Sequence, residues 1–298
     1  MTKQTDFAGS GRLSGSGASP SKRPRLILYA LAIVLLAVFV VSGSSRSPTG
    51  TAKGGPIVPT PQGAPTSAAA ATDRPTTKPT RLRLASLNIH SCVNTSDRYD
   101  PAGTAALLGG YDLISLHECR GDGPWWKNNP ETLGDLVGMQ SLFMPTEIWW
   151  WRNWFGNGML TRIKIDSWET TSLPSGHRMA YRQYTVFKVP FGAKTLSVIM
   201  THVGKKSDRA EQFKVVEEKF MSLPEPCILM GDMNTRPYDP LVVDLLAKGV
   251  EDPVGQRLTY PRDRVDYIFT RGVKWTDAGL VENTASDHPL VWLEIEGE

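Results

Sequence analysis

The stretch "LMGDMNTRP", Leu229 to Pro237, decides how this chain is read. An apolar run ends at Met230, a glycine follows, and Asp232 and Asn234 then stand two positions apart. Alternate positions of a strand share a face, so both polar groups leave the strand on the same side. One Asp after a strand is an ordinary turn former. Here the pattern recurs. "LASLNIH" ends on Asn88 and His90, "LISLHECR" on His117, Glu118 and Arg120, and "SVIMTHVG" on His202. "RVDYIF" carries Asp266 at a strand start, and "ASDHPLVWLEIE" sets Asp287 and His288 before the last apolar run. Of five histidines only His177 lies elsewhere. If these ends converge, they line one cleft with carboxylates, amides and imidazoles.

The texture around them, from Arg81 to Glu298, is one of short β-branched or alternating apolar runs. Helical patterns are fewer. "DRAEQFKVVEEKFMSL" puts Ala210, Phe213, Val216 and Phe220 on one face; "YDPLVVDLLAKG" and "PAGTAALLGG" are shorter. Many strands and few helices imply an α+β fold. The expected form is a four-layered α/β/β/α sandwich of two packed, mostly antiparallel sheets.

The chemistry that suits such a cleft is metal-assisted phosphoryl transfer. Glu and Asp oxygens favour a hard cation, Mg²⁺ with Mn²⁺ as the alternative. His and Asn hold non-bridging phosphate oxygens, and an Asp–His pair activates water. Neither CxxC pairs nor HExxH occur, which argues against a zinc site, and GxxxxGK[ST] and GxSxG are missing too.

The order "NIH", "HE", "TH", "GDMN", "SDH" resembles the endonuclease/exonuclease/phosphatase superfamily, over about Arg81 to Glu296. The resemblance implies Glu118 as metal ligand, with Asn88 and Asp287 beside the ion. It implies that Asp232 and Asn234 orient the nucleophile and bind phosphate. Asp266 would pair with the catalytic His288, and His202 matches a histidine of the deoxyribonuclease and sphingomyelinase branches. Arg120 and Asn157 fall at substrate-contacting positions. Two departures stand out. The Gln that precedes the metal Glu is His117 here. The Glu that orients the "TH" histidine in deoxyribonucleases has no counterpart in "RMAYRQYTVF", where Arg182 or Gln183 falls. The implied substrate is a phosphodiester, nucleic acid or phospholipid; a non-catalytic binding module is the competing class. No protein partner is implied.

The rest of the chain concerns location. The net charge is +3, but residues 1–25 carry +4 and residues 43–80 carry +3, leaving −4 for the remainder, so no basic field supports nucleic-acid binding. Residues 1–25 read as a disordered cytoplasmic tail and 26–43 as a membrane anchor or cleaved signal segment. Residues 44–80 read as a Pro/Thr/Ala-rich linker and 81–298 as the catalytic domain, outside the cytoplasm. In that setting Cys92 and Cys119 are expected to pair, with Cys227 a buried thiol. Trp125, Trp126, Trp149, Trp150, Trp151 and Trp154 crowd two segments. They serve core packing, base stacking or a lipid interface.

Overall fold

The computed structural model describes residues 23–44, 46–59, 79–121, 127–149, 154–175, 181–258 and 263–297. Residues 1–44 form one unit and residues 45–298 another. The first holds helix α1 (Arg23–Ser44). Its side chains from Leu26 to Phe39 are exposed. Among the described residues no helix is long and apolar enough to cross a membrane. The physical reason is length: the apolar run Leu26–Val41 reaches only about 24 Å at about 1.5 Å per residue. The expected span over 26–43 is corrected to an exposed apolar helix.

The second unit is built from strands β1 (Arg46–Pro48), β2 (Ala52–Gly54), β3 (Arg81–Asn88), β4 (Leu113–Gly121), β5 (Gln140–Trp149), β6 (Trp154–Thr161) and β7 (Ser167–Ser172). It continues with β8 (Gln183–Phe191), β9 (Lys194–His202), β10 (Cys227–Asp232), β11 (Asp266–Arg271), β12 (Lys274–Val281) and β13 (Leu290–Glu296). One sheet runs β1-β5-β6-β4-β3-β13-β12, the other β11-β10-β9-β8-β7-β2. Each holds one parallel pair, β3 with β4 and β10 with β9; the other pairings are antiparallel. Helices α2 (Pro101–Leu107) and α3 (Asn129–Val137) belong to the first sheet's outer side, and α4 (Arg209–Ser222) and α5 (Pro240–Ala247) to the second's, while α6 (Pro253–Arg257) contacts β11, β12 and β13.

Three apolar clusters account for the layers. Leu82, Leu84, Phe187, Met200, Met230 and Leu293 meet between the sheets. Phe213, Val216 and Phe220 of α4 bury against Ile199, Leu229 and Phe269, as the spacing of that helix predicts, whereas Ala210, in its first turn, is exposed. Ala105, Leu108 and Leu133 cover Leu87, Ile114 and Leu116. This is the expected α/β/β/α layering. Helix α3, not foreseen, is framed by Asn128, which accepts from Glu131 N at 2.9 Å, and by left-handed Gly138.

Part of the presumed linker belongs to this domain. Strand β1 pairs with β5 and β2 with β7, so one short stretch closes an edge of each sheet. Ile57 bridges to Ile165 and packs on the inter-sheet core. Gly54 is required: a Cβ there would lie 2.2 Å from the Trp168 indole. The spacer proper, residues 60–78, lies outside the described residues.

The cysteines are also corrected. Cys92 and Cys119 share the cluster under α2 and α3, but both are free thiols, as is buried Cys227. Burial pushes Cys92 up to about 12, so it stays a thiol.

A chain beginning at residue 79 should be less stable than one beginning at residue 45 by about 2 kcal/mol, the scale of one buried aliphatic side chain plus lost strand pairing. Urea midpoints of the two would show it, and equal midpoints would mean that residues 46–58 add nothing.

Candidate active site at the strand ends

Period-two alternation carries the inter-sheet face of each central strand to its tip. Leu84 is followed on that face by Ser86 and Asn88, Leu113 by Ser115 and His117, and Met200 by His202. Met230 is followed by Asp232, and Ile268 is preceded by Asp266. Within the parallel pairs Asn88 stands beside His117 and Asp232 beside His202; across the antiparallel pair Asp232 faces Asp266. The apolar core therefore turns polar at one edge. Gly231 makes the junction: its φ is +148°, and a Cβ would stand 1.8 Å from Thr201 O and 3.2 Å from His117 Cε1.

Asp232 is the hub and is fully buried. Its Oδ2 accepts from Asn88 Nδ2 at 3.1 Å and lies 3.2 Å from His202 Nε2, while Oδ1 accepts from Asn234 N at 2.9 Å. Asn234 has φ +46° and turns its amide to Val203 O at 2.7 Å, with His202 Nε2 at 3.1 Å. Asp266 Oδ2 pairs with His288 Nδ1 at 2.7 Å. Asp232, Asp266 and His288 offer ligand atoms within 4.8 Å of one another. Ser286 donates to Asn88 O at 2.6 Å and ties the "SDH" turn to the end of β3.

Glu118 sits at a bulge where the β4–β6 register shifts, with φ +55°. That backbone is costly for a residue without the short polar side chain of Asn or Asp, and such strain gathers at functional sites. Next to it His90, Ser91 and Cys92 all have positive φ. Ser91 donates to Glu118 O at 3.1 Å and accepts from Arg120 Nε at 3.0 Å. Glu118, His90, Ser91, Arg120, Lys127 and Asn129 line a cavity of about 460 Å³. His90 links the two parts: its N–H donates to Asn88 Oδ1 at 3.1 Å, and its Nδ1 lies 3.9 Å from Asp287 Oδ1.

Burial, then the charge of Asp266, raises Asp232 to about 7. His288 loses some basicity to burial, but its hydrogen bond to Asp266 and the charges of Asp266, Asp232 and Asp287 lift it to about 9. Burial also raises Asp266, while His288 pulls it back. With the two groups 2.7 Å apart, the shared proton belongs to His288 at neutral pH. His117 and His202 are lowered by burial, His117 to about 3, and stay neutral.

The structure thus joins Asn88, Asp232, Asn234, His202, Asp266 and His288 in one network and brings Asp287 to its rim. Glu118 and Arg120 occupy the adjoining cavity. Asn157 is buried beside His117, its amide nitrogen short of hydrogen-bond geometry to any described residue. His117 itself points inward, Nε2 at 3.1 Å from both Ser86 Oγ and Ser115 Oγ, so it serves the core rather than the neighbouring Glu118. Neither residue at the place of the missing orienting Glu is a carboxylate: Arg182 is buried, and Gln183 donates to Met144 O at 2.7 Å. Sequence reading missed Ser286, Phe155 and the burial of Arg182. Trp125, Trp126, Trp150, Trp151 and His177 lie outside the described residues.

The Endonuclease/Exonuclease/phosphatase family model matches residues 85–288, more than half of the chain, and the chain belongs to that family. Its fold is that of an endonuclease/exonuclease/phosphatase family protein from Leptotrichia buccalis C-1013-b, at TM-score 0.60 and 16% identity, covering 72% of this chain and 99% of that one. A Beutenbergia cavernae DSM 12333 endonuclease/exonuclease/phosphatase matches at TM-score 0.57 and 20% identity, with 73% and 72% covered. D. rerio TDP2, complexed with single strand DNA product, matches at TM-score 0.54 and 19% identity, with 73% and 99% covered. No curated protein matches.

The raised pKa of His288 has a testable sign. Its stabilising pairing is complete below the ordinary value of 6.5 and is lost as pH rises through about 9. In metal-free protein the His288 ring should titrate near 9 by NMR, and Asp266→Asn should bring it to 6.5 or below. A wild-type value under 7 would remove the ion pair from the account.

Proposed function

We propose that the chain is a divalent-metal-dependent phosphodiester hydrolase, a nuclease acting outside the cytoplasm. The observation that carries this reading is the gathering of two hydrogen-bonded sets, Asn88–Asp232–Asn234 and Asp266–His288, at the converging strand ends, with Asp232, Asp266 and His288 offering ligand atoms within 4.8 Å of one another. A binding module would gain nothing from two adjoining buried carboxylates, whose charge is costly to bury.

The donor set fits a hard cation. The rim is rich in oxygens, from Glu118, Asp287 and the Asn88 amide, and Glu118 is held on strained backbone at a cavity wall. Glu118, Asn88 and Asp287 would hold Mg²⁺ or Mn²⁺, which would supply charge neutralisation on the phosphoryl oxygens. The remaining work falls to the chain. Asp232, near 7, is poised to take a proton from the attacking water at neutral pH. The Asn88 side chain and the Asn234 backbone N–H fix both of its oxygens, so the base is already oriented. His288, protonated and anchored by Asp266, binds a non-bridging oxygen as negative charge develops and can protonate the leaving group. His202, neutral and fully buried, backs Asp232 and Asn234 rather than exchanging protons with solvent.

The nuclease reading draws on the likeness to a fold solved with single strand DNA product. A lipid phosphodiester is the second reading, and the exposed apolar face of α1, Leu26 to Phe39, favours it.

Residues 45–298 with Mg²⁺ or Mn²⁺ should cleave at least one of plasmid DNA, RNA, sphingomyelin and phosphoinositides. Asp232→Asn and His288→Ala should each cost at least ~10²-fold in turnover, the scale for a lost general base or acid, while the circular dichroism spectrum is kept. Wild-type turnover in either variant would overturn the roles assigned to them.

A further inference from the structure

Arg182 precedes β8 and is only 8% exposed, yet its buried Nε–H finds no hydrogen-bond partner among the described residues. The neighbouring charges Glu118, Asp232 and Glu147 favour its charged form from a distance, against a burial that disfavours it. Its one close neighbour of note is the Phe155 ring, 5.6 Å from the guanidinium carbon, which also carries Arg120 at 5.2 Å. A buried guanidinium with an unpartnered N–H is costly, because that donor has left water with nothing in return. Elsewhere in this domain the buried arginine is paired: Arg264 bonds Asp252 and Asp266 O. The exception sits beside the carboxylates of the candidate site, where an incoming phosphoryl group would bring the missing acceptor.

We propose that Arg182 is a phosphate-binding catalytic residue, its planar donor fork reserved for the non-bridging oxygens of the substrate phosphoryl group. The proposal rests on the phosphoesterase reading for its substrate and goes beyond it in naming the residue. It also explains the departure in "RMAYRQYTVF". Where the deoxyribonuclease branch places a carboxylate, this chain places a cation, so recognition of the phosphate shifts toward Arg182 and the protonated His288. A fixed guanidinium matches two phosphate oxygens at once, which a lysine cannot reproduce. Negative charge growing on those oxygens in the transition state would strengthen the contact, so the effect belongs in kcat as well as in KM.

The test uses the full-length chain and inorganic phosphate, with thermal melting and steady-state kinetics as readouts. Wild type should be stabilised by millimolar phosphate, and Arg182→Gln and Arg182→Met should lose that stabilisation. Without phosphate the Met variant should melt at or above the wild-type temperature, because it removes a buried charge with an unpartnered N–H. A merely structural arginine would instead leave both variants less stable, and that result overturns the proposal. On the best substrate of the panel Arg182→Lys and Arg182→Gln should lose ~10²-fold or more in kcat/KM, the scale for one transition-state donor. Added guanidinium should restore part of the Arg182→Ala rate. Wild-type kinetics in Arg182→Gln, with substrate cleaved normally, would sink the inference and leave the hydrolase reading standing. Loss of phosphate stabilisation in a chain that cleaves no substrate would do the reverse.

Discussion

Two carboxylates, Asp232 and Asp266, face each other across paired strands with almost no exposure to water, and the site is arranged around their mutual repulsion. Two such charges would not survive there unaided. Asn88 and Asn234 hold Asp232, and His288 holds Asp266, at distances of 2.7 to 3.1 Å. The residual tension appears as Asp232 raised to about 7 and His288 raised to about 9, with ligand atoms within 4.8 Å of one another. Opposed shifts of this kind separate proton acceptor from proton donor within one cluster. The pair is held up by the apolar core that ends directly beneath it, in Met200, Met230 and Ile268.

Much of this was legible because period-two alternation is a local rule with a global consequence. Once the apolar tips of the strands were recognised, Asn88, His202, Asp232 and Asp266 had to share the face of Leu84, Met200, Met230 and Ile268. The "SDH" turn was legible for a different reason: it precedes a strand that pairs with β3, and Ser286 then locks it to Asn88. Helix α4 followed from its 3.6-residue spacing, and α5 lies within the shorter helical pattern "YDPLVVDLLAKG".

What was not legible depended on partners far away in sequence. Strands β7 and β12, "SWETTS" and "KWTDAGLV", are half exposed and carry no clean alternation, so pairing with neighbours decides them. Strands β1 and β2 look like linker because an edge strand of three residues buries little, yet each completes a sheet. Cys92 and Cys119 were rightly expected to be near one another, since β3 and β4 are adjacent, but both remain thiols in an apolar cluster. His117 occupies the place of an amide in the family's metal-side motif, and only the inward register of β4 reveals that its ring serves the core. The charge on His288 and the unpartnered Nε of Arg182 are properties of burial and spacing in three dimensions.

The central claim is that the polar strand ends enclose one cation and one phosphoryl group. Anomalous scattering from a crystal of residues 45–298 soaked in Mn²⁺ tests it most directly. A single site bounded by Glu118, Asn88 and Asp287, next to Asp232 and His288, is the expected result. A Mn²⁺ ion bound elsewhere, with Glu118 left unliganded, would contradict it.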